Sequence, residues 1–517
     1  MATKHIFIVV ALLTSACGKR DNVACAQDSN CDLAIGGVCT AGGSDRWCAY
    51  PDQACTSGYR YSTQAVGDSL SGDCVVEPDA GIDNLPDWVV GHGGPGDDYG
   101  LNIAETPNGD LVMVGTLSGT ISLGGSALTG GPGWVARYRP DGSHLWSKIV
   151  GDGARADAVA VDRQDNIYVL GTIANSADFG GGVRSGRAFY MVKLDGNDGH
   201  YLWDRTHPVD PLTGYVEVFD IKSIGDSIAI CGDFQDADLG NGLLHSEFGR
   251  DYAVAVYDEA TGAYKWQRAL KTTDEESGPC SIVGVDNDVI VTGGAVGNAM
   301  LGGDPIPAKG TGYTVLARYR GADGAHVWSM GLGGADHGAV CEPSLLVTDG
   351  TRLFVGGGFF GGSCNLGGAD LPSPATGAGY LAAFDATDGA HLWSESLGES
   401  VQTLAADGTR LTVAITFHGT TTIGSISLSA VGSNEDYALV GIDPKTGLPG
   451  VEITDFGGTT NGATLSLRQL IDAHGRLAGI GDTTNSAKLK GITATSNGGR
   501  DIIAFRVAFW WRERVAW

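Results

Sequence analysis

The sequence predicts an all-β protein: a seven-bladed β-propeller of four-stranded blades, preceded by a small disulfide-rich module. Three observations lead there. Tryptophans recur at 88, 146, 203, 266, 328 and 393, separated by 58, 57, 63, 62 and 65 residues. Each interval holds four short segments in which apolar residues alternate with period two, the grammar of half-buried strands. The chain also carries 82 Gly among 517 residues, about twice the usual share, without the Gly-X-Y period of collagen. One four-stranded sheet cannot bury both faces, whereas sheets packed face to face around an axis bury them for every copy.

In chain order, residues 1–16 have the layout of a secretory signal peptide: Lys4 near the start, then an apolar run at 6–13 that is too short to cross a bilayer about 30 Å thick. Leu13-Thr14-Ser15-Ala16-Cys17 resembles the lipobox of bacterial lipoproteins, with Thr14 where Leu is usual, and implies a diacylated Cys17. An ordinary signal peptide cut nearby has the same layout. Of eleven cysteines, setting Cys17 aside leaves ten, an even number suited to an oxidising compartment. Residues 17–74 then form the disulfide-rich module. Its Cys25, Cys31, Cys39, Cys48, Cys55 and Cys74 accompany little apolar sequence, so cross-links must replace a core. Three disulfides among them allow fifteen pairings. Zinc is the rival, but no C-x-x-C occurs. Residues 75–87, "VVEPDAGIDNLPD", read as a linker.

The propeller is expected over 88–509. Its recurring phrase is "RPDGSHLW" (139–146), "DEATGAYKW" (258–266), "RGADGAHVW" (320–328) and "DATDGAHLW" (385–393). Gly142, Gly199, Gly262, Gly324, Gly389 and Gly447 stand where a short hairpin wants a left-handed residue, so the glycines are assigned to turns. Trp88, Trp146, Trp203, Trp266, Trp328 and Trp393 follow and are read as fastening neighbouring blades, rather than as six stacking platforms for a ligand. A seventh unit without a Trp begins near Val451, and one blade is expected to combine both ends of the domain. Residues 510–517, "WWRERVAW", match no other unit and form a tail.

"AVYDEATGAYKW" (255–266) and "AFDATDGAHLW" (383–393) resemble the tryptophan-ended repeat of pyrroloquinoline-quinone enzymes and of the propeller lipoprotein that assists outer-membrane assembly. The fuller pattern at 145–182 is more similar to the seven-bladed propeller repeat of bacterial secreted proteins, and the Cys-rich preface resembles those of bacterial surface lipoproteins. These resemblances imply a propeller and a cell-envelope address. Gly18 is not the Asp that retains many bacterial lipoproteins at the inner membrane, so outer-membrane display is implied as well.

The quinoprotein resemblance implies adjacent cysteines against the quinone and a calcium beside it, yet no Cys-Cys pair occurs. Cys231, Cys280, Cys341 and Cys364 are read as isolated bridges or buried thiols; Cys341 and Cys364 fall in one blade, Cys231 and Cys280 in consecutive blades. H-E-x-x-H, G-x-S-x-G and P-loop motifs are absent, so no catalytic residue is assigned. His144, His326 and His391 recur two residues before their tryptophans, but equivalent atoms in successive blades stand about 10 Å apart, too far to share one metal.

One feature suggests a binding surface. Asp97, Asp98, Asp157, Asp274, Glu275, Glu276, Asp336 and Glu399 occupy corresponding loops and should share one rim. That rim could hold calcium if its oxygens converge, or dock a basic partner; otherwise the acids are solvated turn residues. A net charge of −27 argues against nucleic acid. The reading is a lipid-anchored, monomeric, non-catalytic binding or scaffolding module for a protein or glycan partner, with no required cofactor. The alternative is a secreted propeller enzyme of lyase, hydrolase or quinoprotein type.

Overall fold

The computed structural model describes residues 38–42, 45–51, 59–62, 85–209, 214–246, 249–274, 279–334, 338–372, 377–408, 410–423, 426–430, 435–458 and 463–509. The chain divides into two compact units, Met1–Val75 and Val76–Trp517. In the first, the antiparallel strands Val38–Gly42, Asp45–Pro51 and Tyr59–Tyr61 bury Trp47, Ala49 and Tyr61. Cys48 in the middle strand is disulfide-bonded, as the disulfide reading of this module expects, and its backbone faces Cys39 across the sheet. The signal segment 1–16, Cys17, Cys25, Cys31, Cys55, Cys74 and the tail 510–517 lie outside the described residues.

The second unit is a seven-bladed propeller. From the axis outward, blade I is Tyr99–Glu105, Leu111–Thr116, Gly133–Tyr138 and His144–Ile149. Blade II is Ala158–Val161, Ile167–Ile173, Ala188–Leu194 and Tyr201–Pro208. Blade III is Tyr215–Ile224, Ser227–Gln235, Asp251–Asp258 and Tyr264–Thr272. Blade IV is Ser281–Val285, Asp288–Ala295, Tyr313–Tyr319 and His326–Leu332. Blade V is Val340–Thr348, Arg352–Phe360, Ala378–Asp385 and His391–Ser396. Blade VI is Ser400–Ala406, Leu411–His418, Glu435–Ile442 and Pro449–Gly458. Blade VII takes Leu465–Ala473, Arg476–Leu489 and Ile492–Val507 from the end of the domain and Trp88–His92 from its beginning, paired antiparallel with 502–506. Each Trp therefore sits on an outer strand, and one blade does combine both ends. The inner strands lie side by side all round, that of blade VII against that of blade I.

Packing follows the ring. One buried apolar cluster fills each seam between blades, as Ile282, Val289 and Val291 of blade IV do against Val254, Val256 and Trp266 of blade III. At six seams the tryptophan adds a directional contact. The indole N–H of Trp88 donates to Pro140 O at 3.1 Å, Trp146 to Gly196 O at 2.9 Å and Trp203 to Ala260 O at 3.0 Å. Trp266 donates to Gly321 O at 2.7 Å, Trp328 to Thr387 O at 3.0 Å and Trp393 to Pro444 O at 3.1 Å. Every acceptor lies in the outer hairpin turn of the following blade. The turn glycine is doubly constrained. Gly324 has φ +66°, open to glycine at little cost, and a Cβ there would stand 2.6 Å from the Trp266 ring. The cation two residues after the Trp clamps the same turn: Lys148 donates to Gly199 O at 2.8 Å and Arg205 to Gly262 O at 2.7 Å.

The seventh seam, from blade VI to blade VII, has no Trp because blade VII has no such turn: its outer strand arrives from the other end of the domain. Within blade VII, Asp87 anchors the incoming outer strand, its Oδ1 accepting from Ala508 N at 2.7 Å and from Arg476 Nη2 at 2.6 Å. The long hairpin of blade VII also reaches back, Phe456–Gly458 pairing with Ala487–Leu489.

Not all the glycines serve turns, which corrects the expectation above. Inner strands bulge at 100–102, 218–220, 343–345, 401–403 and 467–469. A bulge pushes a carbonyl against the second strand, and there only glycine fits: a Cβ on Gly357 would lie 2.1 Å from Glu342 O.

Trp266, 3% exposed, is expected to cost about 3–5 kcal/mol when replaced by Ala. Gly324→Ala should push the same indole off its turn. A double-mutant cycle by urea unfolding checks this, the two losses being less than additive.

Candidate functional site

The axis is built from the residues that follow the bulges. Asn102 Oδ1 accepts Val159 N at 3.1 Å, and Asp220 Oδ2 accepts Ile282 N at 3.0 Å and the Ser281 hydroxyl at 3.1 Å. Thr403 Oγ1 accepts Leu470 N at 3.0 Å and Gln469 Oε1 accepts Ile103 N at 2.9 Å. In each pair a side chain on one inner strand satisfies the backbone of the next blade. These are the carboxylate, amide and hydroxyl oxygens that a channel-bound ligand would need, and they are occupied in joining blades.

The predicted acidic loops do lie on one rim, since each runs from an outer strand to the next inner strand. Among the described residues their oxygens do not converge. Asp98 is buried and caps its own loop, accepting Gly94 N at 2.8 Å and Ser118 N at 2.9 Å, while Asp97 accepts Arg500 N at 2.9 Å. Asp157 pairs with Arg155 at 3.2 Å, and Glu399 with His418 at 2.8 Å. Asp274 is exposed. Glu275, Glu276 and Asp336 lie outside the described residues. Of the described rim acids, Asp98 caps its own loop, its short carboxylate reaching an N–H four residues away, while Asp97, Asp157 and Glu399 are engaged by other partners.

Sequence reasoning missed a cluster on the same rim at blades II and III. Asp233, 1% exposed, stands across the strand pair from Glu217 and is joined to Arg250 by a 3.3 Å contact through Oδ2; no hydrogen bond reaches its Oδ1. The Arg250 guanidinium covers the Tyr215 ring at 4.7 Å, and the Tyr215 hydroxyl donates to Glu217 Oε2 at 2.5 Å. Burial pushes the Asp233 carboxyl up to about 7; Arg250 opposes the shift and Glu217 adds to it. Burial likewise raises Asp157, with Arg155 opposing and Glu217 adding. Asp157, Glu217 and Asp233 come from three separate segments with no common spacing, so no sequence motif announces them.

The histidines are packing residues. His144 Nε2 lies 3.0 Å from Ser147 Oγ, and His326 Nε2 lies 2.9 Å from Ser329 Oγ, each in its own blade. The rings of His144, His326 and His391 lie where a Cβ would stand on Gly125, Gly303 and Gly368, in recurrent Leu-Gly-Gly steps. Among the described residues, Asp195, Asp198 and His200 are the group whose ligand atoms lie within 4.8 Å of one another, on the exposed outer turn of blade II.

The four propeller cysteines form two bridges. Cys231–Cys280, Cα atoms 6.2 Å apart, ties blade III to the loop entering blade IV; Cys341–Cys364, at 6.0 Å, lies within blade V. Structural disulfides of this kind suit an oxidising compartment outside the cytoplasm. A quinone site of the implied type does not fit: the sequence has no adjacent cysteines, and the axial oxygens are taken up between blades.

Residues 250–476 match the family model described as outer membrane protein assembly factor BamB. The repeats over that stretch are of the pyrroloquinoline-quinone-like kind. No curated protein matches the chain. Among solved structures, the quinohemoprotein alcohol dehydrogenase from Comamonas testosteroni shares 11% identity at TM-score 0.39, over 93% of this chain and 74% of that one. The Dos1 propeller shares 9% at TM-score 0.40, over 82% and 96%. Hsv2 of Kluyvelomyces marxianus shares 7% at TM-score 0.39, over 77% and 99%.

Asp233→Asn tests the rim cluster. A carboxyl whose folded pKa is raised makes the protein less stable as pH climbs from the ordinary value of 3.8 towards 7. The variant should therefore melt higher than wild type at pH 8 and match it below pH 4. Replacing Cys231 and Cys280 together by Ala should cost about 2–4 kcal/mol, read by urea unfolding under non-reducing conditions.

Proposed function

We propose that the chain is a binding or scaffolding module of the bacterial cell envelope, exported and held at the outer membrane through a lipid on Cys17. The propeller serves as a rigid platform whose loop-bearing rim meets a protein or glycan partner, with no catalytic step and no required cofactor. The observation that carries this reading is the engagement of axial polar side chains between blades, which leaves variation to the rim loops. The family model matched over residues 250–476 is that of an outer membrane protein assembly factor, and the bridges suit the same address. An acidic balance of −27 favours a basic partner surface.

A second reading, a secreted enzyme, draws on Asp233, because a carboxyl titrating near neutrality is what acid–base chemistry uses. Its burial behind Arg250 speaks for the first reading. Metabolic labelling with a fatty acid analogue should mark wild type and not Cys17→Ala; an unlabelled wild type ends the anchor proposal. Purified protein incubated with pyrroloquinoline quinone, calcium, alcohols and an electron-accepting dye should show no dye reduction, and turnover there would overturn the non-catalytic reading. Millimolar calcium or chelator should leave the melting temperature unchanged.

A further inference from the structure

At the end of the channel opposite the acidic loops, where the closing blade meets its two neighbours, a cluster of charged groups joins three blades. The turn between the first two strands of blade VII, residues 472–475, touches both sides. Towards blade VI, Arg410 donates from Nη1 to Gly475 O at 2.7 Å and places Nη2 3.5 Å from Asp472 Oδ2. Towards blade I, His474 Nδ1 lies 2.8 Å from Glu105 Oε1. His474 has φ +46°, in the left-handed region where His, like Asn and Asp, is enriched among non-glycine residues.

The charged groups facing the turn come from five segments. Asp407 also holds Arg410, at 2.6 Å, and competes with Asp472 for it. Arg506, fully buried on the third strand of blade VII, donates to Ala473 O at 2.8 Å and Gly109 O at 2.7 Å and lies 3.2 Å from the same Glu105 oxygen as His474. Arg476 is drawn away to Asp87.

We propose that the 472–475 turn is a pH-responsive latch on the closing blade: ionised Asp472 holds Arg410 of blade VI, and cationic His474 holds Glu105 of blade I. The two contacts dominate at opposite ends of the range. Burial pushes the Asp472 carboxyl up to about 6, with Arg410 opposing and Asp407 and Glu105 adding. The Glu105 carboxylate 2.8 Å away raises the His474 imidazole above its ordinary 6.5, against burial and Arg506. As pH falls, His474 gains its charge and ties the turn to blade I, and around pH 6 Asp472 loses its charge and lets go of Arg410. Both groups bind protons more tightly in the folded state. Asp472 makes stability fall as pH rises from 3.8 to about 6, and the His474 contribution, complete below 6.5, is lost as pH rises from 6.5 through its folded value. The latch does not depend on the anchor or the partner.

NMR of protein labelled at the histidine Cε1, with His474→Gln assigning the signal, reads one half. The His474 midpoint should lie above 6.5 in wild type and drop in Glu105→Gln. Urea midpoints against pH read the other half: the difference between Asp472→Asn and wild type should grow between pH 4 and 6 in favour of the variant. A His474 midpoint at or below 6.5, or an Asp472→Asn profile parallel to wild type, overturns the latch. Asp472→Asn leaves Arg506 and its Glu105 partner untouched, so it decides the matter even if Glu105→Gln fails to fold.

Discussion

An indole laid on the glycine turn of the following blade is the contact on which the ring depends. Apolar burial between sheets is large but has no direction, and two twisted sheets can slide over one another. The Trp N–H bond to a turn carbonyl removes that freedom, and it does so in one sense only, from each blade to the next. Such a head-to-tail contact propagates until the ring closes on itself. The glycine under the indole admits both the left-handed backbone and the ring's approach, which is why Trp266 and Gly324 belong to one device though 58 residues separate them.

The seventh seam shows the same logic by exception. The unit beginning near Val451 lacks a tryptophan because it has nothing to dock on. Its neighbour is assembled from both ends of the domain, so the turn that would receive the indole does not exist there. The hairpin pairing at 456–458 and the Arg410 contacts with Gly475 and Asp472 take over. The seam from blade VI to blade VII thus rests on strand pairing and charge where the other six also carry an indole.

Joining blades also consumes chemistry. Asn102, Asp220, Thr403 and Gln469 face the axis but spend their oxygens on the backbone of the next blade, while Asp98 spends its oxygens on the Gly94 and Ser118 backbone and Asp97 accepts from Arg500 N of blade VII. What is left over for recognition is the outer surface of the rim loops, on a frame stiff enough to let those loops vary. The Asp157, Glu217 and Asp233 cluster is a place on that rim where a buried carboxylate oxygen, Asp233 Oδ1, lacks a hydrogen bond.

The repeat made the fold legible: Trp spacing, alternating segments and turn glycines are local patterns, and local patterns survive in a linear text. The sequence alone therefore determined the blade count, the strands in each blade, the role of the tryptophans and the candidate bridging cysteines. Tertiary structure decided the rest. It alone set which blade the first strand completes, which glycines answer a bulge rather than a turn, and that the described rim acids take separate partners instead of converging. It alone brought Asp233 to Glu217 and His474 to Glu105, 369 residues apart. The physical reason is that a carboxyl's chemistry is set by burial and by charges arriving from other blades, and neither has a period in the sequence.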